Sequence, residues 1–286
     1  MLSIHPKDVP VAKLHSYLLS AVAPRPIALA STIDSKGCVN LSPFSFFNVF
    51  SANPPILIFS PARRVRDNTT KHTLENALET KEVVINIVNF KMVHQMSLSS
   101  TEYPRDINEF EKAGFTMVAS DKVKPYRVGE SPIQLECKIN DVVALGKEGG
   151  AGNLIICELL KMHIDENYLN SDGSLDQFKL DLVARAGGSL YARANKGFFE
   201  IPKPLSTMGV GVDALPEAVR NSEILSGNDL GKLGNIEKIP GPGDVDKFAK
   251  EHTDLLGADL LKKHTFAKDY LEKNDITSAW KVLLMN

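Results

Sequence analysis

The sequence predicts a mainly β protein with peripheral helices: a mostly antiparallel sheet closed into a barrel, followed by a helical C-terminal extension. Three observations carry this. Short apolar runs rich in β-branched residues recur through the first two-thirds of the chain, the composition of buried strands. They lie too close together for repeated strand–helix–strand crossovers, each of which needs a dozen or more residues. Near residue 205 the apolar spacing changes to a helical period. A barrel domain over 1–205 and a helical extension over 206–286 are therefore expected.

Each element has its local reason. Residues 27–33, 56–59, 83–88, 133–139 and 154–159 read as strands. Asp34-Ser35-Lys36-Gly37 turns the first of them back as a hairpin would, into a strand from Val39 to Asn48. The glycine-rich stretch 146–153 is a second connection between strands. Thr73 is placed to cap a helix carrying Leu74, Ala77 and Leu78, and a second helix runs from Asp106 to Ala113 with Phe110 facing inward. In the extension, Pro240-Gly241-Pro242-Gly243 reads as a linker and Asp244 as the cap of a helix with Val245, Phe248, Ala249 and His252. Leu260, Leu261, His264, Ala267 and Leu271 follow at helical spacing, and Ile276, Ala279, Trp280, Leu283 and Leu284 form the last stripe. His252 and His264 are expected on a helix surface or its margin, and the extension as a whole is read as added core.

Composition excludes several classes. At 286 residues, 43% hydrophobic and 24% charged, the chain is too apolar for disorder. Lys+Arg 33 against Asp+Glu 35 leaves a net charge of −2, without the basic excess that non-specific nucleic-acid binding requires. No run approaches the roughly 20 apolar residues that cross a bilayer, and the N-terminus lacks a basic region followed by an apolar one. Cys38, Cys137 and Cys157 are odd in number and widely spaced, which suits reduced thiols in a cytoplasmic protein.

Common catalytic signatures are missing: no His-Glu-x-x-His, Cys-x-x-Cys, Gly-x-Ser-x-Gly or phosphate-binding Gly-x-x-x-x-Gly-Lys-Ser/Thr occurs. No zinc site is expected, and His163, inside a strand, is read as structural. The glycines near 150 do not form a dinucleotide fingerprint and read as a plain turn. The informative stretch runs from Pro24 to Pro55, where Ser, Thr and Asn side chains alternate with Phe44, Phe46 and Phe47. Hydroxyls and free backbone N–H groups suit phosphate oxygens, and the phenyl faces suit a ring. Pro43 breaks the strand ladder and frees backbone groups that a ligand could satisfy. A plain edge strand with packed aromatics accounts for the same residues equally well. Just downstream, Arg63-Arg64-Val65-Arg66-Asp67-Asn68-Thr69-Thr70 brings three guanidinium groups and two hydroxyls before a helix, a setting for a phosphate dianion. A solvated charged loop is the competing account of any one arginine there.

Together these segments resemble the flavin reductase-like family of FMN-binding split-barrel proteins, which includes the flavoredoxin-related flavoproteins. The resemblance lies in residues 25–32, 37–48, 51–55 and 66–69, then in Glu82-Val83-Val84-Ile85-Asn86, Asp106-Ile107-Asn108-Glu109-Phe110, residues 131–137 and Arg185-Ala186-Gly187-Gly188-Ser189-Leu190-Tyr191. It covers about residues 10–205. It implies a homodimeric split β-barrel with FMN near the subunit interface. Carried over, Ser31 and Thr32 would line the flavin or its ribityl chain. Asn40, Ser42 and Ser45 would meet the phosphate side or the ring's polar edge, with Phe46 and Asn48 along the ring. Arg66, Asp67 and Thr69 would hold the phosphate and ribityl end. Arg185 and Tyr191 are candidates for the rim where a second substrate docks, with a salt bridge and a packed tyrosine as the competing accounts. The resemblance further implies an oxidoreductase that passes electrons from NAD(P)H through FMN to an acceptor. The flavin carries that chemistry, so no protein nucleophile is required. An electron carrier of flavoredoxin type, with no nicotinamide site of its own, is the alternative. A barrel that has lost its cofactor is a third reading, against which the intact polar residues speak.

Overall fold

The computed structural model describes residues 1–202 and 208–285. The expected domain junction at 205/206 lies outside the described residues; the chain divides into two compact units, Met1–Phe199 and Glu200–Asn286.

The first unit begins with a helix absent from the sequence reading, α1 (Val11–Ala21), none of whose side chains is buried. Arg25 holds its end, donating from Nη1 to the Leu19 carbonyl at 2.6 Å. The strands β1 (Ala28–Ile33), β2 (Val39–Phe44), β3 (Phe47–Ala52) and β4 (Pro55–Phe59) follow, then α2 (His72–Thr80), β5 (Glu82–Ile87), α3 (Val93–Leu98) and α4 (Glu109–Ala113). A small β6–β7 ladder (Met117–Val118, Arg127–Val128) leads into the long strands β8 (Ile133–Ala144) and β9 (Asn153–Ile164). A short α5 (Gln177–Leu180) and the β10–β11 hairpin (Val183–Arg185, Tyr191–Arg193) end the unit.

Seven strands form one antiparallel sheet in the order β2-β1-β5-β8-β9-β4-β3. Its two edges, β2 and β3, are separated in the chain only by Ser45 and Phe46, so the sheet must curl until the edges meet. They do not pair with each other, which leaves a barrel split along one seam. The expected single strand from Val39 to Asn48 is therefore two strands on opposite edges. Register shifts in β8 near Glu136/Cys137 and Ile139/Asp141 help the long strand bend.

The interior is filled by Ala28, Ala30, Phe59, Val83, Ile85, Cys137 and Cys157, with Leu74 and Ala77 of α2 inserted among them. Burial pushes the Cys137 thiol up to about 12 and raises the Cys157 thiol well above its ordinary value, in keeping with unreactive packed thiols. A second apolar cluster, Leu29, Leu41, Met92, Met96 and Phe110, packs α3 and α4 on the outer face of β1 and β2. Phe110 faces inward as expected, although the helix starts later than expected and Asn108 is its cap, accepting from the Phe110 N–H at 3.0 Å.

The second unit holds α6 (Glu217–Arg220), α7 (Gly227–Gly234), α8 (Pro242–Glu251), α9 (Leu260–Glu272) and α10 (Ile276–Leu284). Its core is Leu233, Leu255, Leu271 and Trp280, with Trp280 Nε1 donating to the Leu233 carbonyl at 3.0 Å. Three expectations are corrected here. Gly241 caps α8 and Pro242 opens it, because proline's fixed φ suits a first helical turn; the Pro-Gly run is thus a helix start, and Asp244 sits inside the first turn. His252, by contrast, lies at the helix margin as expected, half-buried at the end of α8: its ring stacks on Phe248 at 4.0 Å, and its Nε2 lies 3.2 Å from the Tyr270 hydroxyl. His264 is buried instead, and desolvation lowers its pKa.

Candidate functional site

Two neighbouring clefts open beside the barrel seam. The first lies at the N-terminus of α2. Asn40 and Ser42 of β2 form one wall, Lys71, His72 and Thr73 the helix start, and Ser99, Thr101 and Tyr103 the wall beyond α3. Lys71 occupies the N-cap position and supplies no side-chain cap, so the first N–H groups of α2 are left to a ligand or solvent. Thr73, expected as the cap, lies inside the helix, and its hydroxyl accepts from Asn40 Nδ2 at 2.9 Å.

This end carries charges of both signs, Lys71 and Arg64 beside Glu102 and Glu109. A lysine beside a helix N-terminus opposes the helix dipole, and burial together with Arg64 lowers the Lys71 pKa. The Lys71 ammonium forms no ion pair or hydrogen bond among the described residues and lies 6.0 Å from the ring centre of Phe44. Arg64 also lines the cleft, with Nε on Glu102 at 2.8 Å and Nη1 on the Thr69 hydroxyl at 2.8 Å. Behind it, Gly150 N donates to the Arg63 carbonyl at 2.9 Å. Gly149 approaches so closely that an added Cβ would stand 3.0 Å from the Arg64 carbonyl oxygen. The glycine turn is thus the backing of the arginine loop. Glu109 completes the cleft; it accepts from the Leu41 N–H on the sheet edge at 3.1 Å, and burial raises its pKa.

The second cleft, about 270 Å³, is bounded by Ile27, Pro43, Phe44 and Ser45 on one side and Met96, Ser97 and Ser100 on the other. Arg185 and Tyr191 also line it, the guanidinium carbon 4.6 Å from the Tyr191 ring centre. Ser42 opens on the first cleft and Pro43 on the second; likewise Ser99 and Ser100.

The structure divides the residues expected from sequence. Asn40 and Ser42 line the first cleft and Ser45 the second. Ser31 and Thr32 are fully buried. Ser31 lies on the strand face opposite Leu41, with no partner for its hydroxyl among the described residues. Thr32 accepts from Asn40 Nδ2 at 3.2 Å and Asn76 Nδ2 at 3.1 Å, so it braces Asn40 from behind. Phe46 and Asn48 fall past the strand break, where Phe46 meets His15 edge-on and Asn48 Oδ1 accepts from Val49 N at 2.8 Å.

Arg66, Asp67 and Thr69 form an exposed turn outside both linings. Asp67 accepts from the Thr69 N–H at 3.0 Å and hydroxyl at 2.6 Å, which brings its pKa down to about 2. Arg66 reaches Asp67 and Glu102. These side chains satisfy one another and leave the cleft to Arg64 and Lys71. Lys71 was the residue missed, and the signal was a basic residue immediately before the apolar period of a helix.

His163, Glu136 and Asp121 also lie close together. Glu136 is buried and accepts from His163 Nε2 at 2.6 Å and from the Asp121 N–H at 2.9 Å, while Asp121 pairs with Lys161. This is a latch between β8, β9 and the preceding loop, and it gives His163 a structural role.

Comparison with known proteins matches the flavin reductase like domain to residues 20–179, within the first unit. An uncharacterized protein of Aquifex aeolicus is 37% identical over 181 residues, 63% of this chain and 90% of that protein. One from Halalkalibacterium halodurans is 34% identical over 199 residues, 69% of this chain and 94% of its own. Among solved structures, nitrilotriacetate monooxygenase component B from Bacillus cereus is similar with a TM-score of 0.66 and 28% identity, covering 70% of this chain and 98% of that one. Flavoredoxin of Desulfovibrio vulgaris shares the fold, with a TM-score of 0.54 at 24% identity over 65% of this chain and 93% of its own.

Proposed function

Because the chain belongs to the flavin reductase-like domain family, we propose that it is an FMN-binding oxidoreductase that takes electrons from NAD(P)H and passes them to a small-molecule acceptor. The observation that carries the reading is the half-buried Lys71 ammonium, unpaired among the described residues, at an open helix N-terminus next to a cleft of about 270 Å³. That donor set fits a phosphate monoester: a dianion relieves the repulsion between Lys71 and Arg64 and takes up the first N–H groups of α2. The Ser42 and Thr73 hydroxyls add hydrogen-bonding capacity without bulk.

In this reading the isoalloxazine ring lies in the second cleft against Pro43, Phe44 and Met96. A bound flavin supplies hydride acceptance and donation at its ring. The chain's own residues hold and orient it. Ser45, Ser97 and Ser100 offer hydrogen bonds to the ring's polar edge, and Arg185 brings positive charge to the side where reduction builds negative charge. The Bacillus cereus relative is a monooxygenase component, which supports transfer of electrons to a further reactant. The redox site belongs to the barrel domain, over 1–205, and the 206–286 extension has an apolar core of its own.

A homodimer is part of the proposal. Val49 and Phe50 stand exposed on the edge strand β3, and α1 exposes Leu18 and Val22, a surface that a second copy would cover. A cytoplasmic location is proposed too; among the described residues no helix is long and apolar enough to cross a membrane. The test is the absorbance spectrum of the purified protein, followed by anaerobic addition of NADH and NADPH. A yellow protein bleached by either nucleotide is expected. Protein that gains no absorbance near roughly 450 nm with FMN overturns the flavin reading, and a bound flavin that no nicotinamide reduces leaves a carrier.

A further inference from the structure

Ser97 and Tyr191 border the ring cleft and also a separate depression of about 340 Å³, within the size range of small-molecule sites. Its walls are apolar and partly aromatic: Phe90 and Val93 from the start of α3, and Val183 and Ala192 from the β10–β11 hairpin. Neutral hydrogen-bonding groups are His94 and the hydroxyls of Ser97, Ser189 and Tyr191. The one guanidinium in the lining, Arg193, is already engaged. Its Nε donates to Asp181 Oδ1 at 2.8 Å and Oδ2 at 3.0 Å, and its carbon lies 3.8 Å from the Phe90 ring centre.

Among the described residues the lining therefore offers no lysine or unengaged arginine for a phosphate or a carboxylate, while it offers two aromatic side chains and neutral donors. A nicotinamide dinucleotide would leave its pyrophosphate unmatched here. We propose that this depression is the acceptor site and takes an uncharged, flat aromatic carbonyl compound of the quinone class. The proposal rests on the flavin reading of the adjoining cleft. The quinone stacks on Phe90 or Tyr191 with a carbonyl oxygen accepting from Ser97 or Ser189, and Tyr191 is the wall common to the two ring sites. The quinone takes two electrons and two protons from the reduced flavin and leaves as hydroquinone, and the flavin returns to its oxidised form.

The probe is duroquinone, whose fully substituted ring does not add to thiols. Its binding is measured by isothermal titration on FMN-loaded protein, beside a separate FMN titration. Ala192→Phe should weaken duroquinone binding about tenfold or more by filling the depression, with the FMN dissociation constant unchanged. Ser189→Tyr, on the exposed hairpin turn, is the second variant should Ala192→Phe not fold. Wild-type protein that binds FMN but not duroquinone overturns the acceptor site and spares the flavin reading. Duroquinone affinity unaltered in a folded filling variant also overturns it, as does a parallel loss of FMN affinity, which would make the depression part of the flavin site. Wild-type protein that binds no FMN removes the flavin reading and this proposal with it.

Discussion

Replacing Lys71 with alanine tests the anion site most directly. The ammonium is half-buried at the N-cap of α2, and its pKa is already lowered by burial and by Arg64. Before a ligand arrives, removing it relieves an unfavourable charge, so the flavin-free protein should be no less stable. With FMN present the variant lacks one charge-assisted hydrogen bond, worth about 1.5–3 kcal/mol. At about 1.4 kcal/mol per tenfold, that is about 10- to 140-fold in the dissociation constant. Arg64 is shared with Glu102 and Thr69 and replaces little of it. The assay is a fluorescence titration with FMN and, in parallel, with riboflavin, which has the same ring and no phosphate. FMN should weaken by the stated factor while riboflavin stays unchanged. Equal weakening of both, or of neither, would refute the assignment of this cleft to the phosphate.

Arg66→Ala should leave FMN affinity nearly unchanged by the same titration, since its guanidinium sits in an exposed turn with Asp67 and Glu102; a loss matching that of Lys71→Ala would restore Arg66 to the site. Gly149→Ala should lower FMN affinity through Arg64, because the new Cβ would meet the Arg64 carbonyl at 3.0 Å and the Val65 Cα at 3.1 Å, an overpacking of about 1–3 kcal/mol; an unchanged melting temperature and affinity would show that the loop yields freely. Glu109 carries a raised pKa through burial, so its neutral form is favoured in the fold. That stability is present below the ordinary carboxylate value of 4.5 and lost as pH rises through the raised one. Glu109→Gln keeps an acceptor for the Leu41 N–H, so it should melt above the wild type at neutral pH, with the gap closing in acid; a gap that widens in acid contradicts the assigned cause.

The barrel was readable because its signal is local. β1, β4, β5, β8 and β9 fall where β-branched runs stand in the sequence, within a few residues at each end. The break at Ser45-Phe46 was not, since nothing nearby marks it; it follows from the need for β2 and β3 to occupy opposite edges of one sheet. α1 has Val11, Leu14 and Leu18 at helical spacing, but the stretch is short and none of its side chains is buried, so it adds nothing to the barrel core that the sequence reading was following. At the candidate site, residue type singles out Asn40, Ser42 and Ser45, which line the two clefts, and charge singles out the arginine cluster, of which Arg64 lines one. Sequence could not rank the three arginines and Lys71, because their difference lies in what each one touches. Arg63 holds Asn68, Arg66 holds Asp67 and Glu102, Arg64 enters the cleft, and the Lys71 ammonium is left unpaired among the described residues. Thr32 was noticed as a ligand contact and proves to be a brace, a distinction only burial makes.

That brace has a kinetic consequence. Thr32 on β1 accepts from Asn40 on β2 and Asn76 on α2, and Asn40 also donates to Thr73. Two strands and the helix start are thereby tied through four buried side chains. This wall of the proposed anion site is braced before anything occupies it, so little ordering entropy should be lost there on capture. Differences in affinity among variants of the cleft should accordingly reside in how slowly the ligand departs. The amides opening α2 should resist hydrogen exchange as well in the empty protein as in the loaded one, save those the phosphate itself covers.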